Sequence, residues 1–165
     1  MRKLFTLGYQ GLGIDQYAQI LQQAGVTLVI DVRETPWSHK RDFVKNTFQT
    51  ALAEKGIGYL HLKTAGNPKA IRSAAKSTAE CLSQYSLFLE ENPTGRDDIA
   101  KAILDAEKTS AQVCLTCFER NHTECHRSIL ASALLSVFPD LEIVNLGEED
   151  ESLPLFKIAS APALV

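Results

Sequence analysis

The sequence predicts an α/β domain: a three-layer α/β/α sandwich, Rossmann-like or flavodoxin-like, with about five mostly parallel strands. Three observations predict it. Short apolar runs alternate along the chain with amphipathic helical stretches, which is the pattern of parallel β-α-β crossovers. The run VTLVIDV, residues 26–32, is apolar almost throughout, as a strand covered on both faces must be. The chain has 165 residues, 45% hydrophobic and 22% charged, enough for one sizeable core without disulfides. Right-handed crossovers then place helices on both faces of the sheet.

The elements follow in order. Residues 3–7 read as a strand leading into Gly8. Ile14, Tyr17, Ala18 and Leu21 share one face of a helix that Gly25 stops. Residues 26–32 form the second strand. Val44, Phe48, Ala51 and Leu52 make the next helical stripe, ended by Gly56, and IGYLHL, residues 57–62, is the third strand. Residues 63–76 are predicted as a loop, punctuated by Gly66, Asn67 and Pro68. Ser77 with Glu80 is a capping box for a helix through Tyr85, Phe88 and Leu89, broken by Pro93. Thr94 with Asp97 repeats that pattern before Ile99, Ala102, Ile103 and Ala106. Residues 112–117 are a fourth strand. Thr123 is the expected N-cap of a last helix carrying Ile129, Leu130, Ala133, Leu134 and Val137, and residues 141–146 are a fifth strand. This is one domain over 1–147, followed by a tail over 148–165 that is acidic and then apolar.

Composition excludes some classes. No run reaches the 18 or so apolar residues of a membrane span, so no membrane partner is expected. The apolar stretch near the N-terminus is too short for a secretion signal, so the expected location is cytoplasmic. The cysteines are Cys81, Cys114, Cys117 and Cys125. In a reducing compartment the last three, clustered together, read as buried, metal-binding or reactive rather than disulfide-bonded. Formal charge is −3, but residues 33–76 hold nine Lys/Arg and only three Asp/Glu. That segment is either a solvated face or a surface for anions.

Ligands of open parallel sheets bind outside the carboxyl ends of the strands. Here those ends collect the chemistry: Tyr9 after the first, Asp31, Arg33, Ser38 and Arg41 after the second, Asn67 after the third, and Cys117, Glu119, Cys125, His126 and Arg127 after the fourth. Asp31 and Arg33, two apart in an extended chain, point the same way and form either a structural ion pair or a general base with its neighbour. Residues 114–127, CLTCFERNHTECHR, admit three readings. Zinc needs four ligands, drawn from Cys114, Cys117 and Cys125 with His122 or His126, but residues 114 and 117 of one strand face opposite sides. The C-x5-R spacing of Cys114 and Arg120 suits an oxyanion loop only with small residues between, and LTCFE has none. A helix opening at Thr123 would offer backbone donors to an anion, a thiolate-prone Cys125 and a clamp in Arg127.

The segments TLGYQG (6–11), VTLVIDVRETPWS (26–38), GIGYLHLKTAGNP (56–68) and CFERNHTECHR (117–127) resemble the domain-of-unknown-function 488 family. The resemblance implies a compact α/β domain of bacterial or archaeal type with no established reaction. Its motif maps onto Gly8, Tyr9, Asp31, Arg33, Pro36, Ser38, Gly66, Asn67, Pro68, Cys117, Glu119, Cys125, His126 and Arg127. Ala65 departs from the usual leucine, Trp37 is unusually bulky for its place, and Cys114 lies outside the pattern.

Three functions are expected to compete. The first is an enzyme on a phosphorylated or nucleotide-like substrate, a hydrolase or transferase. In it Asp31, Cys117, Cys125 and His126 are catalytic, and Tyr9, Arg33, Ser38, Arg41, Asn67, Glu119 and Arg127 hold the anion. The second is a nucleic-acid-binding module using Lys40, Arg41, Lys45, Lys63, Lys69, Arg72 and Lys76, with Trp37 or Tyr59 stacking on bases. The third is a thiol- or zinc-based regulator. The sequence names no cofactor and commits to no metal ligand.

Overall fold

The computed structural model describes residues 1–148. The predicted tail, apart from Glu148, lies outside the described residues. Strands β1 (Lys3–Gly8), β2 (Leu28–Asp31), β3 (Gly58–His61), β4 (Val113–Cys117) and β5 (Glu142–Asn145) form one sheet in the order β3-β2-β4-β1-β5. Every neighbouring pair is parallel. The helices are α1 (Ile14–Gln23), α2 (Lys45–Glu54), α3 (Lys69–Ala74), α4 (Thr78–Glu91), α5 (Thr94–Glu107) and α6 (His126–Leu134). This is the doubly wound α/β/α sandwich that the alternating pattern predicts.

Side-chain alternation along the strands divides the core in two. Phe5 and Leu7 of β1, Val29 of β2 and Cys114 of β4 pack against Tyr17 and Leu21 of α1 and Phe48 and Leu52 of α2. The interleaved Leu4, Ile30, Val113, Leu115 and Cys117 pack against Tyr85 of α4, Ile99 and Ile103 of α5 and Leu130 and Leu134 of α6. Both layers exclude water, which explains the nearly continuous apolar runs.

The register aligns Gly8 with Cys117, and Asp31 with both Thr116 and His61, so these four strands end on one rim. The chain leaves neighbours β1 and β4 toward opposite faces, which is where an open sheet usually leaves a ligand crevice. Here the chain fills it. Tyr9 N–H donates to the Cys117 carbonyl at 3.2 Å and Gln10 N–H to the Phe118 carbonyl at 2.8 Å. A Cβ on Gly8 would stand 1.7 Å from the Glu119 carbonyl oxygen, so only glycine lets the two exit loops close.

Four local expectations need correction. The predicted loop 63–76 contains a 3₁₀ turn, Lys63–Ala65, and the short helix α3; six residues are too few to show a period against Gly66 and Pro68. At α4, Ser77 Oγ accepts from Glu80 N–H at 3.1 Å, but the Glu80 carboxylate turns to Lys76 N–H instead of closing the box. Thr94 lies inside α5, whose N-cap is Pro93 with no side-chain cap. Thr123 does not cap the last helix. It sits in a separate 3₁₀ turn, His122–Glu124, capped by Asn121, and α6 begins at His126 with Cys125 at its N-cap.

Candidate functional site

The rim residues fall into two clusters on opposite faces of the sheet. The first is built around Asp31, which is fully buried on the α1/α2 side. Its carboxylate accepts from Arg33 Nε at 2.9 Å, Arg33 Nη2 at 2.6 Å, the Arg33 backbone N–H at 3.1 Å and the Tyr59 hydroxyl at 2.6 Å. Arg33 Nη1 donates in turn to the Tyr9 hydroxyl at 3.0 Å, and the Tyr9 ring stacks on Phe43. Burial works against the guanidinium's charge, but paired Asp31 more than offsets this and holds Arg33 above its ordinary value. Burial, with the Asp31 charge behind it, pushes the Tyr59 phenol well up. Every lone pair of Asp31 that faces the protein has a donor. Asp31 and Arg33 thus form a buried ion pair flanked by two tyrosines.

Tyr59 is a member the sequence reading placed elsewhere, as a stacking residue. Its register opposite Val29 puts it on the Asp31 side of the sheet, so alternation along β3 carried the signal.

The second cluster lies on the α4/α5/α6 side. Cys117 ends β4, Cys125 caps α6 and His126 opens it; all three are buried. His126 Nδ1 lies 3.8 Å from Cys117 Sγ and 3.9 Å from Cys125 Sγ, and the three donor atoms all fall within 4.8 Å of one another. Nε2 is 2.8 Å from the Val32 carbonyl. A carbonyl can only accept, so Nε2 carries a proton, and Nδ1 faces the sulfurs. The Tyr85 ring holds the imidazole edge-on at 5.1 Å. Burial pushes the Cys125 thiol well up, so without a cation it keeps its proton. Burial pulls His126 down, but the Cys125 and Val32 contacts outweigh it and leave the imidazole raised.

Among the described residues, two buried side-chain oxygens lack a hydrogen-bond partner: Asn67 Oδ1 and Glu119 Oε2. Asn67 is held by its other end, Nδ2 lying 3.2 Å from Cys81 Sγ. Its neighbour Gly66 packs so closely on Glu34 that a Cβ would stand 2.3 Å from the Glu34 Cα. That contact seats the Asn67 loop beside the exit of β2.

The remaining expected site residues have other partners. Arg127 is fully buried, and its guanidinium donates to the backbone carbonyls of Glu119 and Arg120 and to Thr6 Oγ1. It fastens the β4–α6 loop to β1. Ser38 Oγ accepts from Lys40 N–H, and Arg41 is exposed on the 3₁₀ turn Arg41–Phe43. Neither enters a cluster. Cys114 faces α1 and α2, away from Cys117, and His122 pairs with Glu148 at 2.7 Å. The ligand set with Cys114 and His122 is therefore not assembled, whereas Cys117, Cys125 and His126 are. Within the basic segment, Lys40 Nζ donates to the Leu12 carbonyl and Arg72 to Glu34 and the Asn67 carbonyl. Two surface grooves, about 600 Å³ between α1 and α2 and about 480 Å³ among α4, α5 and α6, are lined by none of the rim cluster. No helix among the described residues is long and apolar enough to cross a membrane.

A family model described as "Domain of unknown function DUF488" matches residues 13–134. No curated protein matches the chain, and no solved structure does.

Proposed function

The chain belongs to the domain of unknown function DUF488 family, and we propose that it is a zinc-binding protein whose ligands are Cys117, Cys125 and His126. The observation that carries this reading is His126. Its Nε2 proton is committed to the Val32 carbonyl, and its Nδ1 stands 3.8 and 3.9 Å from two thiol sulfurs. A histidine ligand typically gives its second nitrogen to a carbonyl or carboxylate, which fixes the tautomer and aims the ring. Tetrahedral zinc, with Zn–S about 2.3 Å and Zn–N about 2.0 Å, requires S···N separations of about 3.6 Å. Both S···N separations reach that with movements of a few tenths of an ångström. Two buried thiols also gain from a soft cation that takes them as thiolates.

Binding and regulation, more than turnover, suit a centre whose ligands are this buried. Metal here would draw β4, the start of α6 and the exit of β2 into one unit. The phosphate- or nucleotide-binding enzyme finds less support, because Arg33 and Arg127 give their donors to the protein. The nucleic-acid reading loses Lys40 and Arg72 to internal contacts, leaving a sparser basic surface.

The test is metal uptake by the full-length protein under reducing conditions. One equivalent of zinc or cobalt is expected, with a thiolate-to-cobalt charge-transfer band that Cys117→Ser, Cys125→Ser and His126→Ala each weaken. A wild-type protein that takes up neither metal, or variants that bind as well as wild type, overturns the proposal. Heat protection by phosphate or nucleotide without metal would restore the anion-binding enzyme.

A further inference from the structure

The residues that would hold zinc also bring two thiols together. Resting on the Cys117/Cys125/His126 reading, we propose that Cys117 and Cys125 are a dithiol–disulfide pair, and that a small peroxide closes the disulfide and expels the zinc. All four cysteines are free, and the fold sorts them. Cys114 packs in the α1/α2 layer. Cys81 lies on α4 with its Sγ 3.2 Å from Asn67 Nδ2. Among the described residues, the thiol–imidazole cluster takes in Cys117 and Cys125 and neither of the others.

The two sulfurs come from different elements, the end of β4 and the cap of α6, and lie within 4.8 Å of each other. A change of staggered rotamer moves a cysteine sulfur by an amount comparable with the gap that remains. The bond can therefore close between side chains without unfolding either element. Both ends are anchored: Arg127 fastens the intervening loop to β1, and His126 is held on the Val32 carbonyl. Cys117 is 7% exposed and Cys125 only 1%. That opening favours an oxidant the size of water, such as hydrogen peroxide, and makes Cys117 the sulfur it meets first.

Cys117 Sγ attacks one peroxide oxygen. An S–O bond forms, the O–O bond breaks, and the departing hydroxide leaves as water with the thiol's proton. Cys125 Sγ then attacks the Cys117 sulfenic sulfur. The S–S bond forms, the S–O bond breaks, and the second hydroxide leaves as water with the Cys125 proton. Two electrons pass from the sulfurs to the peroxide. From the zinc thiolates the two protons come from solvent and Zn²⁺ departs, because a disulfide has no thiolate to give and His126 alone remains. A thiol reductant reverses the change by exchange. Zinc and the disulfide thus exclude each other at one pair of sulfurs.

The experiment treats the full-length protein, metal-free and zinc-loaded, with hydrogen peroxide. Remaining thiols are alkylated, and the denatured protein is cut with trypsin at Lys108, Arg120 and Arg127. The expected product is residues 109–120 joined to residues 121–127, with fragmentation placing the bond on Cys117 and not Cys114. Cys114→Ala should give the same link. In the loaded protein one zinc should be released per link, and the oxidised protein should take up none until dithiothreitol restores it. A metal-free protein that forms no link, a link through Cys114 or Cys81, or zinc retained after the link forms overturns the pair while leaving the zinc centre standing. A reduced protein that takes up no zinc at the outset overturns the centre, and the expulsion of zinc with it.

Discussion

Replacing Asp31 by Asn tests whether the first cluster is architecture. The substitution is nearly isosteric, so it changes charge and donor pattern more than volume. Asn can still accept from the Arg33 backbone N–H. Its amide NH₂, however, must stand where the second carboxylate oxygen receives Arg33 Nη2 and Tyr59 OH, both at 2.6 Å. The tyrosine hydroxyl can turn and accept; the guanidinium cannot. Arg33, only 6% exposed, is left as a buried charge without a counterion. Breaking a buried pair this way costs about 3–5 kcal/mol, or about 6–20 °C in Tm for a protein of this size. Urea unfolding by circular dichroism reads it as a fall in midpoint at constant slope. Arg33→Met should cost a similar amount, because Asp31 then loses its counterion and two of its four donors. The double variant Asp31→Leu/Arg33→Met should recover most of the loss, with a coupling of at least about 2 kcal/mol. Asp31→Asn within about 0.5 kcal/mol of wild type would refute this reasoning, and the carboxylate would need an explanation other than stability.

Two more outcomes follow from the structure. Gly8→Ala forces backbone apart, since the new Cβ falls 1.7 Å from the Glu119 carbonyl oxygen; a loss of about 3 kcal/mol or more and weaker zinc uptake are expected, and a wild-type urea midpoint would contradict the close approach. Burial also raises the thiols of Cys114 and Cys125, so the folded protein keeps protons that the unfolded chain releases above pH about 8.5. Folded-state pKa values above the unfolded ones mean that metal-free stability is full below that pH and falls as pH rises, by up to about 1.4 kcal/mol per pH unit for each thiol. Cys125→Ala should flatten the decline and zinc should remove the Cys125 share, whereas a metal-free stability level from pH 8 to 10 would contradict the burial argument.

Much of this molecule was legible in the sequence. The β-branched run 26–32 announced a central strand of a doubly wound sheet, and the polar residues after each strand located the rim. What the linear pattern hid was the division of that rim between two faces. Asp31 and Arg33 pack beside Tyr9 and Tyr59, while Cys117, Cys125 and His126 sit across the sheet with Tyr85. Gathered into one list, a carboxylate, two arginines, two thiols and an imidazole suggest a single polar active site. Separated by the pleat, they become an ion pair that satisfies itself and a thiol–imidazole cluster that does not.

Alternation could have drawn that line in advance. Within β4 it set Cys114 apart from Cys117, and across the β2–β3 register it joined Tyr59 to Asp31. It could not place Cys125 and His126, because their position depends on where α6 begins. That start is set by the 3₁₀ turn His122–Glu124, a local choice of Asn121 over Thr123 as the capping side chain. A helix opening at Thr123 would have carried residues 125 and 126 into its first turn. With α6 opening at His126 instead, Cys125 becomes the capping residue and turns its sulfur back over β4, and the imidazole reaches the Val32 carbonyl. The shift of the N-cap by two residues, from Thr123 to Cys125, thus separates an anion-binding helix end from a buried thiol–imidazole cluster.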